Sequence, residues 1–296
     1  MLRSAAKRRA AAKLQMAAEC RGAEPEMQTD VDRKRGAVLL DGKTVLVTGV
    51  GVGLGRECAA SALRSGANVV LAARRKDELA GAAADLDPDG GHTAHLATDI
   101  TDPVACAALV ALARERFGSV DALIQVAAFE HAWGGLYDLK PDDWRAAFDT
   151  NVLGALTLLR PAAAAMKEGG GGSVVFIGSQ SMFKPAMPQA GYAASKSALL
   201  TAMYYLADEL GPDGIRCNMV IPSWMWGPNV QLYVSMTARQ QGRTEDEVLQ
   251  EMVADFPLRR MTEDGEVADV AVFFASDHAK AVTGQYLLVN SGEMFR

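Results

Sequence analysis

From residue 41 onward, short runs of consecutive apolar, largely β-branched residues alternate with longer Ala- and Leu-rich stretches of helical periodicity. The runs at 43–49, 67–73, 92–98, 120–127, 172–179, 215–222 and 285–290 predict seven strands. Several are apolar at successive rather than alternate positions, the pattern of a strand covered on both faces. Between them the sequence predicts helices over 54–65, 76–85, 103–117, 142–167, 192–210, 245–254 and 265–275. Regular alternation of this kind implies an α/β fold, a doubly wound parallel sheet with helices on both faces, in a single domain. Four consecutive glycines at 169–172 read as a loose connector into the fifth strand. Residues 227–255 interrupt the rhythm and are expected to form a lid.

The first forty residues differ from the rest. They carry nine Lys/Arg and five Asp/Glu, and five of the basic residues precede the first acid, Glu19. Such a stretch fits an organelle-targeting amphipathic helix or an extension that is disordered or frayed, and its scarcity of Leu and aromatic residues favours the extension. The remainder then holds 21 basic and 31 acidic residues, a net charge of −10 within a chain total of −6. A body that acidic is a poor match for a phosphate backbone, so nucleic acid is not the expected partner. Hydrophobic residues make up 49% of the chain, yet no apolar run is long enough to cross a bilayer, so neither disorder nor a membrane span is expected. Cys20, Cys58, Cys106 and Cys217 lie far apart, without a CxxC pair or Cys/His ladder. A reducing, cytoplasmic setting and no metal site are therefore expected.

Three local patterns carry chemistry. Thr48 to Gly55 reads TGVGVGLG between the first strand and the first helix. A glycine turn there leaves backbone N–H groups and the positive helix end free to meet a diphosphate, although a tight turn without a ligand has the same appearance. Tyr192 and Lys196 form YxxxK, which puts phenol and ammonium on one helix face. A free phenol titrates near ~10, so acid/base work near neutrality needs positive charge beside it. Ser179 lies thirteen residues before Tyr192 at the end of a predicted strand, where doubly wound sheets face their ligands.

The TGxxxGxG turn, the serine at that spacing, YxxxK, and Asn151 in FDTNVLGAL together resemble the short-chain dehydrogenase/reductase superfamily, with its Rossmann-type sheet, over essentially all of 41–296. The resemblance implies an oxidoreductase that transfers hydride between a nicotinamide and a carbonyl or secondary alcohol. Asn151, Ser179, Tyr192 and Lys196 would be catalytic. Ser179 would hydrogen-bond the carbonyl oxygen and Tyr192 would protonate it. Lys196 would hold the nicotinamide ribose and lower the tyrosine's pKa together with the oxidised ring, and Asn151 would hold a water leading to solvent. The cofactor would meet Gly49, Gly51, Val52, Gly53, Leu54 and Gly55 at the turn, and Ala127 beyond the fourth strand. It would meet Pro222, Ser223 and Trp224 beyond the sixth, besides Tyr192 and Lys196. Asp99 and Ile100 would contact adenine, though Asp99 also reads as a helix cap.

Ala73 occupies the family's usual acidic position after the second strand, and Arg74 and Arg75 follow. Loss of the acid favours NADP(H) over NAD(H), although Arg74 and Arg75 also read as a solvated helix start and Val52 stands where relatives often place a second basic residue. Three further positions depart from the family pattern. Gln125-Val126-Ala127-Ala128 replaces NNAG, Pro222-Ser223 replaces PG, and Gly227 replaces a Thr that commonly binds the carboxamide. Phe129, His131, Trp133, Ser181, Met182, Met187 and Trp226 are the candidate substrate contacts. Their aromatic and Met character points to a bulky apolar or cyclic substrate, or else to subunit contacts; a homodimer or homotetramer is implied by the resemblance. Reduction of a C=N bond, or a non-enzymatic NADP-binding sensor or scaffold, are the alternative readings.

Overall fold

The computed structural model describes residues 38–138 and 140–295; the expectations for the basic opening lie almost wholly outside them. Seven strands form one sheet: β1 (Thr44–Thr48), β2 (Asn68–Ala73), β3 (Thr93–Ala97), β4 (Ala122–Gln125), β5 (Gly172–Ile177), β6 (Ile215–Pro222) and β7 (Tyr286–Val289). Their order is β3-β2-β1-β4-β5-β6-β7 and every neighbouring pair is parallel. The order reverses between β1 and β4, where Thr48 and Gln125 stand side by side. A crevice at the carboxyl ends of such a pair is where a doubly wound sheet holds its ligand.

The helices are α1 (Leu54–Arg64), α2 (Lys76–Leu86), α3 (Pro103–Phe117), α4 (Pro141–Phe148), α5 (Ala155–Glu168), α6 (Ala190–Leu210), α7 (Pro228–Gln241), α8 (Glu245–Val253) and α9 (Asp264–Ala275). Successive strand residues feed two separate cores. Leu46 of β1 packs with Leu109 of α3, Leu158 of α5 and Met203 of α6. Val45 and Val47 pack on the other face with Cys58 of α1, Leu79 of α2 and Val267 of α9. This two-sided burial is why the strands are apolar at consecutive positions. Leu40 is buried in the second core, so the domain begins ahead of Asp41.

One expectation is corrected. The helix predicted over 142–167 is divided: α4 and α5 are joined by a widened turn of π type, Asp149–Gly154, which contains Asn151. Periodicity reads straight through such a turn because only one residue is inserted into the helical ladder. Residues 227–255 are mostly helical: α8 matches the helix expected over 245–254, and α7, which was not expected, precedes it. Pro228 opens α7 and Gly242, in the left-handed region, ends it. Its buried stripe is narrow, Val234 and Ala238, which hid it from periodicity. No helix among the described residues is long and apolar enough to cross a membrane.

Gln125, at the end of β4, is 2% exposed, and neither of its amide atoms finds a hydrogen-bond partner among the described residues. An unmet buried polar group costs on the order of 1–3 kcal/mol. Gln125→Leu is therefore expected to raise the urea midpoint of unfolding with an unchanged slope, by about 1 kcal/mol or more. A lower midpoint would show that the amide is already satisfied.

Candidate active site

The glycine turn is shaped partly by sterics and partly by what it leaves open. Gly49 has φ 69°, and a Cβ there would come within 2.6 Å of the Ala127 nitrogen. A Cβ on Gly55 would run into the Gly49 carbonyl. These two glycines let the chain fold back on itself beside β4. The Thr48 hydroxyl accepts hydrogen bonds from the backbone N–H groups of Val126 and Ala127, each 3.1 Å, which binds the turn to the segment after β4. Gly51, by contrast, faces open space. Gly53 begins α1 without any side-chain cap, so the first amides of that helix remain free for an anion. A diphosphate fits this cradle. Leu54 is buried in the core, and Val52 is 76% exposed. At the turn, then, Leu54 has only main chain to offer a ligand.

At the end of β2 the two arginines differ. Arg75 pairs with Glu78 at 2.7 Å, whereas exposed Arg74 makes no ion pair among the described residues and lies near enough to Asp99 to help hold its carboxyl below the usual range. The first cause of that lowering is Thr101, whose N–H and hydroxyl both donate to Asp99 Oδ1 at 2.9 and 2.7 Å. The helix cap is the neighbouring acid: Asp102 accepts from the Val104 N–H at 2.8 Å and starts α3. Asp99 therefore closes a local turn. Ile100 is buried in the first core.

The four candidate catalytic residues come from β5, α6 and the widened turn. Ser179 follows β5; its hydroxyl lies 2.9 Å from that of Ser181 and within hydrogen-bonding reach of Tyr192. Lys196, 2% exposed, donates to the Ile177 carbonyl at 2.7 Å and sits 5.7 Å from the centroid of the Tyr192 ring. Asn151 is buried and wholly engaged by protein. Its Oδ1 accepts from the Phe129 N–H at 2.6 Å, and its Nδ2 donates to the Phe129 carbonyl at 3.0 Å and to Ser195 Oγ at 2.9 Å. This side chain clamps the segment after β4 to α6.

In the chain alone, burial dominates the electrostatics of the pair. Burial pushes the Tyr192 hydroxyl above the usual phenol range and Glu130 adds to this, with the Ser179 hydrogen bond opposing. Burial also lowers Lys196 to about 8, with Glu130 opposing. Desolvation outweighs the attraction between phenolate and ammonium because both groups are enclosed.

The candidate substrate contacts divide. Phe129 is fixed by Asn151 and meets His131 edge to face at 5.7 Å; His131 and Trp133 are exposed. This segment lies against the approach to Tyr192, since the Gly134 N–H donates to the Pro188 carbonyl at 2.8 Å. Ser181 joins Ser179, and Met187 is half-buried in the same segment. Met182 packs on the first core, and Trp226 packs with Val230 and Met252 between α7 and α8 and lines the open cavity beside Gly227. Trp224 stacks on Tyr233 of α7 at 5.6 Å. Ser223 donates to a carboxylate that motif spacing gave no reason to single out: Glu293, near the C-terminus, which also pairs with Lys184 at 3.1 Å. Ser195 was equally hidden, although a serine bonding back to Tyr192 within a helix is a pattern that spacing alone permits.

Comparison with known proteins agrees with this geometry. Residues 49–293 match the family model described as enoyl-(acyl carrier protein) reductase. The chain is 35% identical to an L-rhamnose 1-dehydrogenase (NAD(P)(+)) of Azotobacter vinelandii, covering 86% of this chain and 98% of the relative. It is 29% identical to a 7alpha-hydroxysteroid dehydrogenase of Escherichia coli K12, covering 86% and 94%. The solved structure of L-sorbose reductase from Gluconobacter frateurii, complexed with NADPH and L-sorbose, superposes with a TM-score of 0.82 at 26% identity, covering 88% of this chain and all of that one. With its parallel seven-stranded sheet, open glycine turn and clustered Ser179, Tyr192 and Lys196, the chain belongs to the short-chain dehydrogenase/reductase superfamily of NAD(P)-dependent oxidoreductases.

Proposed function

We propose that this protein is an NADP(H)-dependent oxidoreductase acting on a carbonyl or secondary alcohol of a bulky apolar or cyclic substrate. The observation that carries the reading is the meeting of Ser179, the enclosed Tyr192 hydroxyl and the buried Lys196 at the carboxyl end of β5, beside a glycine turn with room for a diphosphate. Bound there, a nicotinamide supplies or accepts the hydride. Ser179 and Ser181 orient the substrate oxygen by hydrogen bonding. Tyr192 holds the proton that oxygen gains on reduction and takes it back on oxidation. Lys196 holds the ribose and keeps a positive charge near the phenol. Asn151 positions the segment carrying Phe129.

The preference for NADP rests on Arg74, exposed and without an ion pair among the described residues, beside a position that carries Ala73 instead of an acid. The substrate class rests on Phe129, His131, Met187 and Trp133 around the approach to Tyr192, and on relatives named for hydroxylated ring compounds, a sugar and a steroid. Exposed Leu153, Tyr204 and Tyr205 on one side and Phe273 and Leu287 on another supply apolar surface for assembly as a homodimer or homotetramer. The lid helices α7 and α8 cover the site, and a cytoplasmic setting suits the three buried free cysteines among the described residues.

Tyr192→Phe is expected to lower kcat about 10²- to 10⁴-fold while dinucleotide affinity stays within about twofold. Near-normal turnover over a panel of ketones and secondary alcohols, followed by nicotinamide absorbance, would refute the role. For the cofactor, the ratio of NADP to NAD affinity is expected to fall roughly tenfold or more in Arg74→Ala, as a charge-assisted hydrogen bond is lost. An unaltered ratio removes Arg74 from the assignment.

A further inference from the structure

Asp264 is the first residue of α9, and its carboxylate occupies the space that a side chain on residue 227 would need. A Cβ built on Gly227 would lie 2.6 Å from Oδ2 and 3.0 Å from Oδ1, and one built on Gly53 would lie 3.4 Å from Oδ2. The carboxylate therefore stands between the phosphate-binding turn and the segment following β6. An open cavity of about 410 Å³ is walled by Val52, Glu57, Gly227 and Asp264 among others. Oδ1 is buried without a hydrogen-bond partner among the described residues.

The positive end of α9 favours an acid at this position, but no donor reaches Oδ1 among the described residues. The capping of α9 is done by Glu263 and Glu266, whose side chains each accept a backbone N–H of the first turn. The charged groups felt by Asp264 are Glu57 from α1 and Glu263 from α9, both acidic, and they join burial in pushing its carboxyl up. A structural carboxylate would be given a donor or a cation. This one is given a cavity beside the turn that receives phosphates.

We infer that Asp264 sets how loosely the dinucleotide is held, by standing as a like charge against the diphosphate at the Gly51–Gly53 turn. Gly227 belongs to the same device, because any larger residue would displace the carboxylate. This rests on the reading of the turn as a dinucleotide site. Its consequence is a cofactor that leaves faster than the contacts of the turn alone would allow.

The test is titration of the full-length protein with NADPH and with NADH, read by cofactor fluorescence, in wild type and Asp264→Asn, which keeps the volume and removes the charge. Both dissociation constants are expected to fall about three- to tenfold, as for two partly screened charges several ångströms apart. Stopped-flow release should slow in step. Tightening distinguishes this from a structural role, since damage to the fold weakens binding. If Asp264→Asn does not fold, Asp264→Ser carries the same expectation. Affinities that stay equal or weaken, with wild type still binding, overturn this inference alone. A wild type that binds neither dinucleotide overturns the reading of the turn as well.

Discussion

Three hydrogen bonds from the Asn151 amide, two to the main chain of Phe129 and one to Ser195, join parts of the chain that share no strand pairing. The widened turn that carries Asn151 lies before α5, Phe129 follows β4, and Ser195 lies inside α6 between Tyr192 and Lys196. Strand pairing fixes the sheet but says nothing about how a loop beyond β4 sits against a helix. A buried amide with its donors and acceptor all met does fix it, because any slip leaves unsatisfied polar groups in an apolar surround. Ser195 passes the constraint on by donating to the Tyr192 carbonyl at 2.7 Å. Helix α6 and the segment after β4 are therefore set by one side chain.

Burial is the second constraint, and it acts on both members of the YxxxK pair. Enclosing a phenol disfavours its anion, and enclosing an ammonium disfavours its cation, so the scaffold by itself keeps the proton on Tyr192 and brings Lys196 to about 8. The protonated phenol is the form that can donate to a carbonyl oxygen. Glu130, exposed and adjacent to the clamped Phe129, favours the protonated form of both groups. A carboxylate there works against the phenolate and in support of the ammonium, so its two effects on the pair oppose each other in oxidation and agree in reduction.

Much of this was legible in the sequence because it is local. Seven strands appear as apolar runs since both faces of a parallel sheet are covered, and Ser179, Tyr192 and Lys196 are recognisable because their spacing follows from one strand end and one helix. What stayed hidden depends on partners distant along the chain. The widened turn at Asp149–Gly154 has helical periodicity on either side, so only the demand of Phe129 and Ser195 on Asn151 exposes it. Helix α7 presents a buried stripe too narrow to stand out. Gly227 read as a missing threonine, and only the fold shows that Asp264, 37 positions later, fills its space. Met182 and Trp226 are half-buried, and their packing neighbours, the first core and the α7–α8 pair, lie far from them in sequence.

The rim of the crevice is built on a different principle from its floor. The floor is strand ends and buried helix, held by two apolar cores; the rim is joined by short polar ties. Glu293, whose side chain is 7% exposed, receives the Ser223 hydroxyl from the β6 side and Lys184 from the segment after Ser179. Lys184 is itself 52% exposed, so solvent screens much of that ion pair and the enclosed hydroxyl is the firmer half of the tie. Asn290 holds the same tail from behind, donating to Gln180 Oε1 at 2.6 Å and to the Met294 carbonyl at 3.0 Å. Polar ties of this kind break at lower free-energy cost than a packed core. Within the Glu293 tie, the screened Lys184 side is the weaker one and the enclosed Ser223 side the stronger.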